Sequence, residues 1–569
     1  MLLGSMTIRA PHSTGVAIVA SSLALVAAYA FTDLVGGKAV AAQDESCIAR
    51  TAFGDIVGAR SGGGCAFLGI PYAAPPVGNL RWRPPQPPSP WSPAVLNATV
   101  APAACPQINL AGATAGNEDC LTLNIWTPSS TPEPLPVLVW LHPGSFIAAS
   151  ANLASSNGQR FAEQRNAVVV APNYRLGPLG FLAHGALTLE DPSYRSSGNY
   201  GLADQRAALR WVREHIVAFG GNPANVTLAG TSAGGISTSA HLVSRGSRGL
   251  FHRAIVQSGN ASTRWQSAFE AEAQGDAFAA ALGCTDPRVV LECLRSKTRD
   301  QLLMALPLSA LTGGFQQFSQ EPGRVAWGPI VDGVEIADQP RELYLRGLLP
   351  RVPTIIGSNR DDGWTYVDRS YPGGLDAIQY DRAVRTEFGI DADAVMRTYP
   401  LASFANPKEA LARLTTDAEF ACEARRISHA LHREGAPLWV YALDHSVDPV
   451  DPGRAFHGLE RNLVFGNNFG PPSNYVLAGV DLEVSNVMST FWRRFMETGD
   501  PNPRGRPAPW PPYRQPGQFA PTTDGSPSDF YYLFEEHHAV RNYLRDSQCN
   551  FWEAFYFRSV VGAVPAAAR

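Results

Sequence analysis

The chain has 569 residues, 46 Lys and Arg against 50 Asp and Glu, and a net charge of −4. That balance leaves no basic footprint for nucleic acid or for an anionic membrane surface. With 52 glycines and 46 prolines, the composition points to a large soluble protein whose long turned loops surround a sheet rather than to a helical bundle.

The amino end reads as a separate piece. Arg9 and His12 precede an apolar run over 16–31, which is too short and too rich in small residues for a permanent span. Ala39-Val40-Ala41 then offers a small-residue cleavage site ahead of Gln43. The reading is a signal peptide over 1–42, with an uncleaved membrane anchor as the alternative, and one domain over 43–569. A secreted or periplasmic location follows, and in that setting eight cysteines suggest disulfides. The proline-rich stretch 84–93 reads as an irregular surface turn. An apolar strand over 137–141 runs into the turn His142-Pro143-Gly144-Ser145-Phe146. Val226-Thr227-Leu228-Ala229 leads as a strand into Gly230-Thr231-Ser232-Ala233-Gly234, and residues 236–243 read as a helix. Strand, Gly-x-Ser-x-Gly and helix in succession form the context of a nucleophile elbow, with unpaired N–H groups behind the serine.

A serine hydroxyl is a poor nucleophile at neutral pH and needs a base and a group that orients the base. In strand-sheet hydrolases the chain order is nucleophile, acid, histidine. Downstream of Ser232, a buried strand over 352–358 ends in Asn359-Arg360-Asp361-Asp362-Gly363, and either carboxylate fits the acid. Phe456-His457-Gly458-Leu459-Glu460 then precedes Leu463-Val464-Phe465. His241, His252, His429, His432 and His445 also follow the serine, so order alone does not choose the base. There is no His-Glu-x-x-His spacing and no Rossmann glycine fingerprint, so neither a metal nor an organic cofactor is expected. Length alone would suggest roughly three or four domains, but a nucleophile, acid and histidine drawn from distant parts of the chain must close within one fold.

Several further motifs stand in a recognisable order. They are Phe67-Leu68-Gly69-Ile70-Pro71-Tyr72-Ala73 with Pro75-Pro76-Val77-Gly78, and Glu118-Asp119-Cys120-Leu121-Thr122-Leu123-Asn124-Ile125. Gly198-Asn199-Tyr200-Gly201-Leu202 follows with Asp204-Gln205 and Trp211-Val212, then Gly499-Asp500-Pro501-Asn502 and Cys549-Asn550-Phe551-Trp552. From about 56 to 557 the chain resembles the type-B carboxylesterase family, which includes cholinesterases and liver carboxylesterases. The resemblance implies an α/β-hydrolase fold: a large, mostly parallel central sheet flanked by helices, with an N-terminal hairpin and long loops. It also implies a serine carboxylesterase that forms an acyl-enzyme on a small-molecule ester, without stable membrane insertion of the mature chain.

Carried over position by position, the resemblance puts the nucleophile at Ser232, the acid at Asp362 and the base at His457, with Asp361 as the fallback acid. The family's acid is usually glutamate, so Asp362 reaches one methylene less. The implied oxyanion donors are the backbone N–H groups of Gly144, Ser145 and Ala233. Pro143 falls at a position not expected to donate, and Ser145 adds a hydroxymethyl group where the family commonly has glycine. Thr231 stands where many members carry glutamate, so no buried negative charge is expected beside the imidazole. Ser258 matches a family serine that can hydrogen-bond the acid. Phe146, Trp364 and Tyr366 are candidates for an apolar acyl or alcohol pocket.

Resemblance and sequence proximity imply the pairs Cys105–Cys120, Cys284–Cys293 and Cys422–Cys549, with Cys47 and Cys65 joined across an N-terminal hairpin. The loop between Cys105 and Cys120 is short and holds no tryptophan, unlike the cholinesterase loop that faces choline. An uncharged carboxylic ester of moderate size is therefore expected. Some relatives lack the triad and act in binding or adhesion. The presence of Ser232, Asp362 and His457 favours the enzyme over that alternative. Asn97, Asn225 and Asn260 begin glycosylation sequons.

Overall fold

The computed structural model describes residues 47–561 apart from 110–111, 130–132, 263, 306–326, 348, 506–507, 515–528 and 543. The expected leader over 1–42 lies outside the described residues. The main sheet contains β1 (Ala59–Ser61), β2 (Gly64–Pro71), β3 (Thr122–Thr127), β4 (Leu135–Leu141), β5 (Val168–Pro172) and β6 (Gly221–Thr231). It continues with β7 (Arg253–Gln257), β8 (Thr354–Asn359), β9 (Leu438–Leu443), β10 (Phe530–Phe534) and β11 (Ala539–Asn542). The spatial order is β11-β10-β9-β8-β7-β6-β4-β5-β3-β2-β1. Strands from β5 to β10 run parallel, and antiparallel neighbours close both edges.

The central strands read as unbroken apolar runs because both sheet faces are covered. Val137, Val139 and Leu141 of β4 enter one core with Ala254, Val256, Ile356, Leu438 and Val440. The alternate residues Leu138 and Trp140 enter the other with Ile255, Ile355, Trp439, Tyr441 and Leu443. This period of two makes every central strand serve both layers.

The helices that position the site are α1 (Tyr200–His215), α2 (Ala233–Val243), α3 (Trp364–Ser370), α4 (Pro407–Thr416), α5 (Cys422–Arg433), α6 (Leu459–Phe465), α7 (Gly479–Thr498) and α8 (Asp546–Val561). Helices α1, α2 and α5 pack on the first face. Every residue of α2 is buried. On the second face, α7 presents Val484, Met488, Phe491, Trp492, Phe495 and Met496, a three-and-four spacing that gives one apolar stripe. A third core joins Val367 of α3, Leu411 and Leu414 of α4 and Trp552 of α8.

Disulfides join Cys47 to Cys65, Cys105 to Cys120, Cys284 to Cys293 and Cys422 to Cys549. The last one staples α8 to the start of α5. No helix among the described residues is long and apolar enough to cross a membrane.

Register decides where chemistry can gather. Gly230 of β6 stands opposite Leu141 of β4 and Val256 of β7. Gln257 stands opposite Gly357, and Asn359 opposite Leu443. The segments beginning at His142, Ser232, Ser258 and Arg360 therefore all leave the carboxyl edge of the sheet together, the edge at which open α/β sheets place their ligands.

Candidate active site

Ser232 links β6 to α2 with φ 59° and ψ −125°, a conformation that costs a non-glycine residue on the order of 1–3 kcal/mol. Close approach holds it there. A Cβ on Gly230 would lie 2.4 Å from the Gly234 carbonyl carbon, and one on Gly234 would lie 2.0 Å from the Leu141 oxygen. Only glycine allows the elbow to fold on itself and press against the end of β4. That contact brings Ala233, the first residue of α2, beside the 142–146 turn.

The turn is itself tightly wound. Gly144 has φ 122°, and a Cβ there would meet the Ala148 oxygen at 2.0 Å. Ser145 and Phe146 follow with φ 52° and 62°. The Gly144 carbonyl accepts from Ile147 and Ala148 N–H, both at 3.0 Å, so it is turned into the loop. His142 anchors the turn, stacked on Tyr174 at 4.1 Å with its Nδ1 2.8 Å from the Pro143 oxygen. Burial pushes its pKa down to about 4, so it stays neutral and adds no cation beneath the turn. Ser145 is exposed, whereas Phe146 is buried with its ring edge-on to Phe181 at 5.3 Å.

His457 Nδ1 lies 2.9 Å from Asp362 Oδ1. The other carboxylate oxygen of Asp362 accepts the Asn359 N–H at 2.7 Å. Asp362 is fully buried, and burial raises its pKa against the pull of His457 and the Asn359 N–H. Asp361 faces elsewhere, paired with Arg360 at 2.8 Å and accepting the Ala455 N–H at 3.0 Å. The other five candidate histidines have contacts of their own. His241 meets Ser247 and Gln205, His252 accepts from Val226 N–H, His429 meets Glu553, His432 packs on Tyr513 and His445 meets Asp481.

Tyr366 is placed differently from the expected apolar pocket wall. Its hydroxyl lies 3.0 Å from His457 Nε2. Its ring stacks on Phe420, which in turn lies 5.0 Å from the imidazole. Phe420 comes from a π-helical turn, Asp417–Ala421, between α4 and α5. Trp364 does not face the triad as a bare apolar surface: the Arg454 guanidinium covers its ring at 3.4 Å and Lys408 approaches at 4.9 Å.

Two expectations around the triad need correction. Thr231 does not leave the site without a buried negative charge. Glu460 is fully buried and accepts from the Thr231 hydroxyl at 2.7 Å and from Asn359 Nδ2. A buried carboxylate three residues after His457 thus meets the residue before the serine. Its signal was present in the sequence as an acidic residue at the head of an apolar helix. Ser258 is buried with φ 42°, and its Oγ has no hydrogen-bond partner among the described residues. The shorter aspartate takes a backbone N–H from Asn359 instead. Asn260, the third sequon, is only 1% exposed, which leaves no room for a glycan.

Residues 45–552 match the model of the carboxylesterase family. The chain belongs to that family. It is 34% identical over 466 residues to a fumonisin B1 esterase of Sphingopyxis macrogoltabida, covering 79% of this chain and 82% of the relative. It is 31% identical over 529 residues to an acetylcholinesterase of Bungarus fasciatus, covering 86% and 82%. A solved PNB esterase superposes with a TM-score of 0.75 at 30% identity, over 89% of this chain and 100% of the other. This carboxylesterase is accordingly a carboxylic ester hydrolase of the serine type with the α/β-hydrolase fold.

Proposed function

We propose that the chain is an exported carboxylesterase that cleaves uncharged esters of moderate size through an acyl-enzyme on Ser232. The observation that supports this reading is the Asp362–His457 pair, with Nδ1 held by a buried carboxylate, on segments that leave the same carboxyl edge of the sheet as the elbow serine Ser232. As Ser232 Oγ attacks the ester carbonyl, its proton passes to His457, and Asp362 stabilises the imidazolium. The N–H groups of Gly144, Ser145 and Ala233 receive the oxyanion. A hole of this kind is worth roughly 10²–10³ in turnover per donor. The imidazolium then protonates the leaving alcohol, and water repeats the sequence on the acyl-enzyme. The Trp-free loop between Cys105 and Cys120 disfavours a choline ester. The relatives' ester substrates support the bond class and leave acyl and alcohol size to this chain's own pocket.

The test is a pre-steady-state burst with p-nitrophenyl butyrate on the mature protein beside Ser232→Ala. A burst stoichiometric with enzyme, absent from the variant, is expected. Equal turnover in both proteins would remove Ser232 as nucleophile, and no turnover in either folded protein would favour a binding role.

A further inference from the structure

Asp362 and His457 stand on two separate loops, and those loops touch residue after residue. Arg360 Nη2 donates to the Gly453 carbonyl. The Asp361 N–H donates to the Ala455 carbonyl at 3.0 Å, and the Asp361 carboxylate accepts the Ala455 N–H at 3.0 Å. Asn359 Nδ2 donates to the Phe456 carbonyl at 2.8 Å. These bonds engage the backbone on both sides of Arg454, and the Arg454 side chain makes a further link. Its guanidinium carbon lies 3.4 Å from the centroid of the Trp364 ring, at the first residue of α3. Its two terminal nitrogens donate to the Glu409 carboxylate on α4.

A guanidinium suits both partners at once, because its flat face lies on the indole while its edge forks onto the carboxylate. A surface ion pair alone contributes little, but the place of this one in the chain gives it leverage. Arg454 is three residues before His457, and Trp364 is two residues after Asp362. Glu409 belongs to α4, which shares a core with α3. The stack therefore ties the loop that ends in the imidazole to the two helices that follow the acid.

We propose that Arg454 is a positioning residue for the base, pinning the 453–457 loop to α3 and α4 so that His457 Nδ1 stays 2.9 Å from Asp362 Oδ1. Arg454 moves no proton. It sets how much of the time the imidazole occupies the geometry that accepts the Ser232 proton. A misplacement of about 1 Å at a reacting group costs roughly 10²-fold in rate. Loss of one cation–π stack can shift a loop equilibrium by at most about 30-fold, so the expected loss is smaller.

This proposal rests on His457 as the base, and the experiment separates the two. Acylation by p-nitrophenyl butyrate is followed by stopped flow for the wild type, Arg454→Ala, Trp364→Ala, the double variant and His457→Ala. Each single clamp variant is expected to keep a full burst and to acylate about 10-fold more slowly, with apparent substrate affinity within about threefold. The double variant should be no slower than the slower single one, because both changes remove the same stack. A wild-type rate in Arg454→Ala overturns the clamp. So do additive losses in the double variant, or a loss carried by affinity instead of rate. If His457→Ala acylates like the wild type, the base assignment itself fails, whatever Arg454 does. If His457→Ala is inactive while Arg454→Ala matches the wild type, the base stands and the clamp alone falls. Should Arg454→Ala not fold, Arg454→Lys keeps the charge beside Glu409 and gives up the planar stack. Its acylation must then be slower than wild type, at unchanged affinity, for the clamp to stand.

Discussion

The strain at Ser232 can be measured without any substrate. Ser232→Ala and Ser232→Gly both remove the hydroxyl proposed as nucleophile, but only glycine relaxes φ 59°, ψ −125°. Relief of that conformation is worth about 1–3 kcal/mol. Against it stand about 0.4–1 kcal/mol from the greater freedom of glycine in the unfolded chain, and about 0.8 kcal/mol for one methyl at a site only 8% exposed. Taking about 2, 0.7 and 0.8, the glycine variant comes out about 0.5 kcal/mol more stable than the alanine variant. At a relaxed position the same exchange would cost about 1.5 kcal/mol, so the difference to be resolved is about 2 kcal/mol. Denaturant unfolding of the two variants, followed by tryptophan fluorescence and compared at equal slope, resolves it. A glycine variant about 1.5 kcal/mol less stable than the alanine variant would show that the elbow stores no strain.

The two adjacent carboxylates should separate sharply. Asp362→Asn is expected to lower kcat by roughly 10⁴, whereas Asp361→Asn should stay within about tenfold of wild type, and comparable losses would refute the geometric assignment. Thr231→Val removes a hydrogen bond to the buried Glu460 carboxylate and should cost about 1.5–3 kcal/mol in denaturant unfolding. Adding Glu460→Gln should recover part of that loss, and strict additivity of the two changes would mean that the pair does not interact. His142 and His241 are buried and neutral, with pKa values pushed down to about 4 and about 3 from 6.5. The unfolded chain binds protons at these sites first, so stability is full above pH 6.5 and falls as the pH drops toward 4, by about 1.4 kcal/mol per unit for each histidine. An acid-unfolding series comparing wild type with His241→Asn should lose one proton's worth of that slope, and an unchanged slope would refute it.

What the sequence showed best is what the backbone and local pattern determine. The elbow was legible because glycine, serine and glycine at fixed spacing between a strand and a helix have few other uses. The three central strands β4, β6 and β8 declare themselves by buried apolar runs, and the parallel register of the sheet brings the candidate residues to one edge. The choice of Asp362 over Asp361 was not available from the local pattern, because both sit on one turn. It depends on which oxygen meets an imidazole 95 residues away. Glu460 illustrates a different limit. As a sequence feature it is one acid among 50 Asp and Glu. Only folding reveals that it takes the hydroxyl of Thr231, 229 residues earlier. Trp364 and Tyr366 differ in the same way: two aromatics of α3 are equivalent on paper, yet one lies under cations and the other meets the His457 imidazole.

These long-range contacts explain how the His457 imidazole, the proposed base, is held in place on a loop. Three directions are fixed by three different segments: Nδ1 by Asp362 at the end of β8, Nε2 by Tyr366 on α3, and the ring face by Phe420 on the π-helical turn. That turn gains its fixity from elsewhere. Its first residue, Asp417, is buried and paired with Arg545 and the Tyr399 hydroxyl, which also accepts from Trp552 Nε1 at 2.8 Å. Trp552 lies on α8, and α8 is tied by Cys422–Cys549 to the residue that directly follows the π turn. Phe420, on that π-helical turn, meets the His457 ring at an interplanar angle of 49°. Such single-turn π insertions concentrate at functional sites because they aim a side chain that a regular helix would point elsewhere. The carboxyl-terminal helix is therefore part of the apparatus that keeps the base in position. A catalytic group held within a few tenths of an ångström owes its precision to such supporting contacts rather than to the loop that carries it.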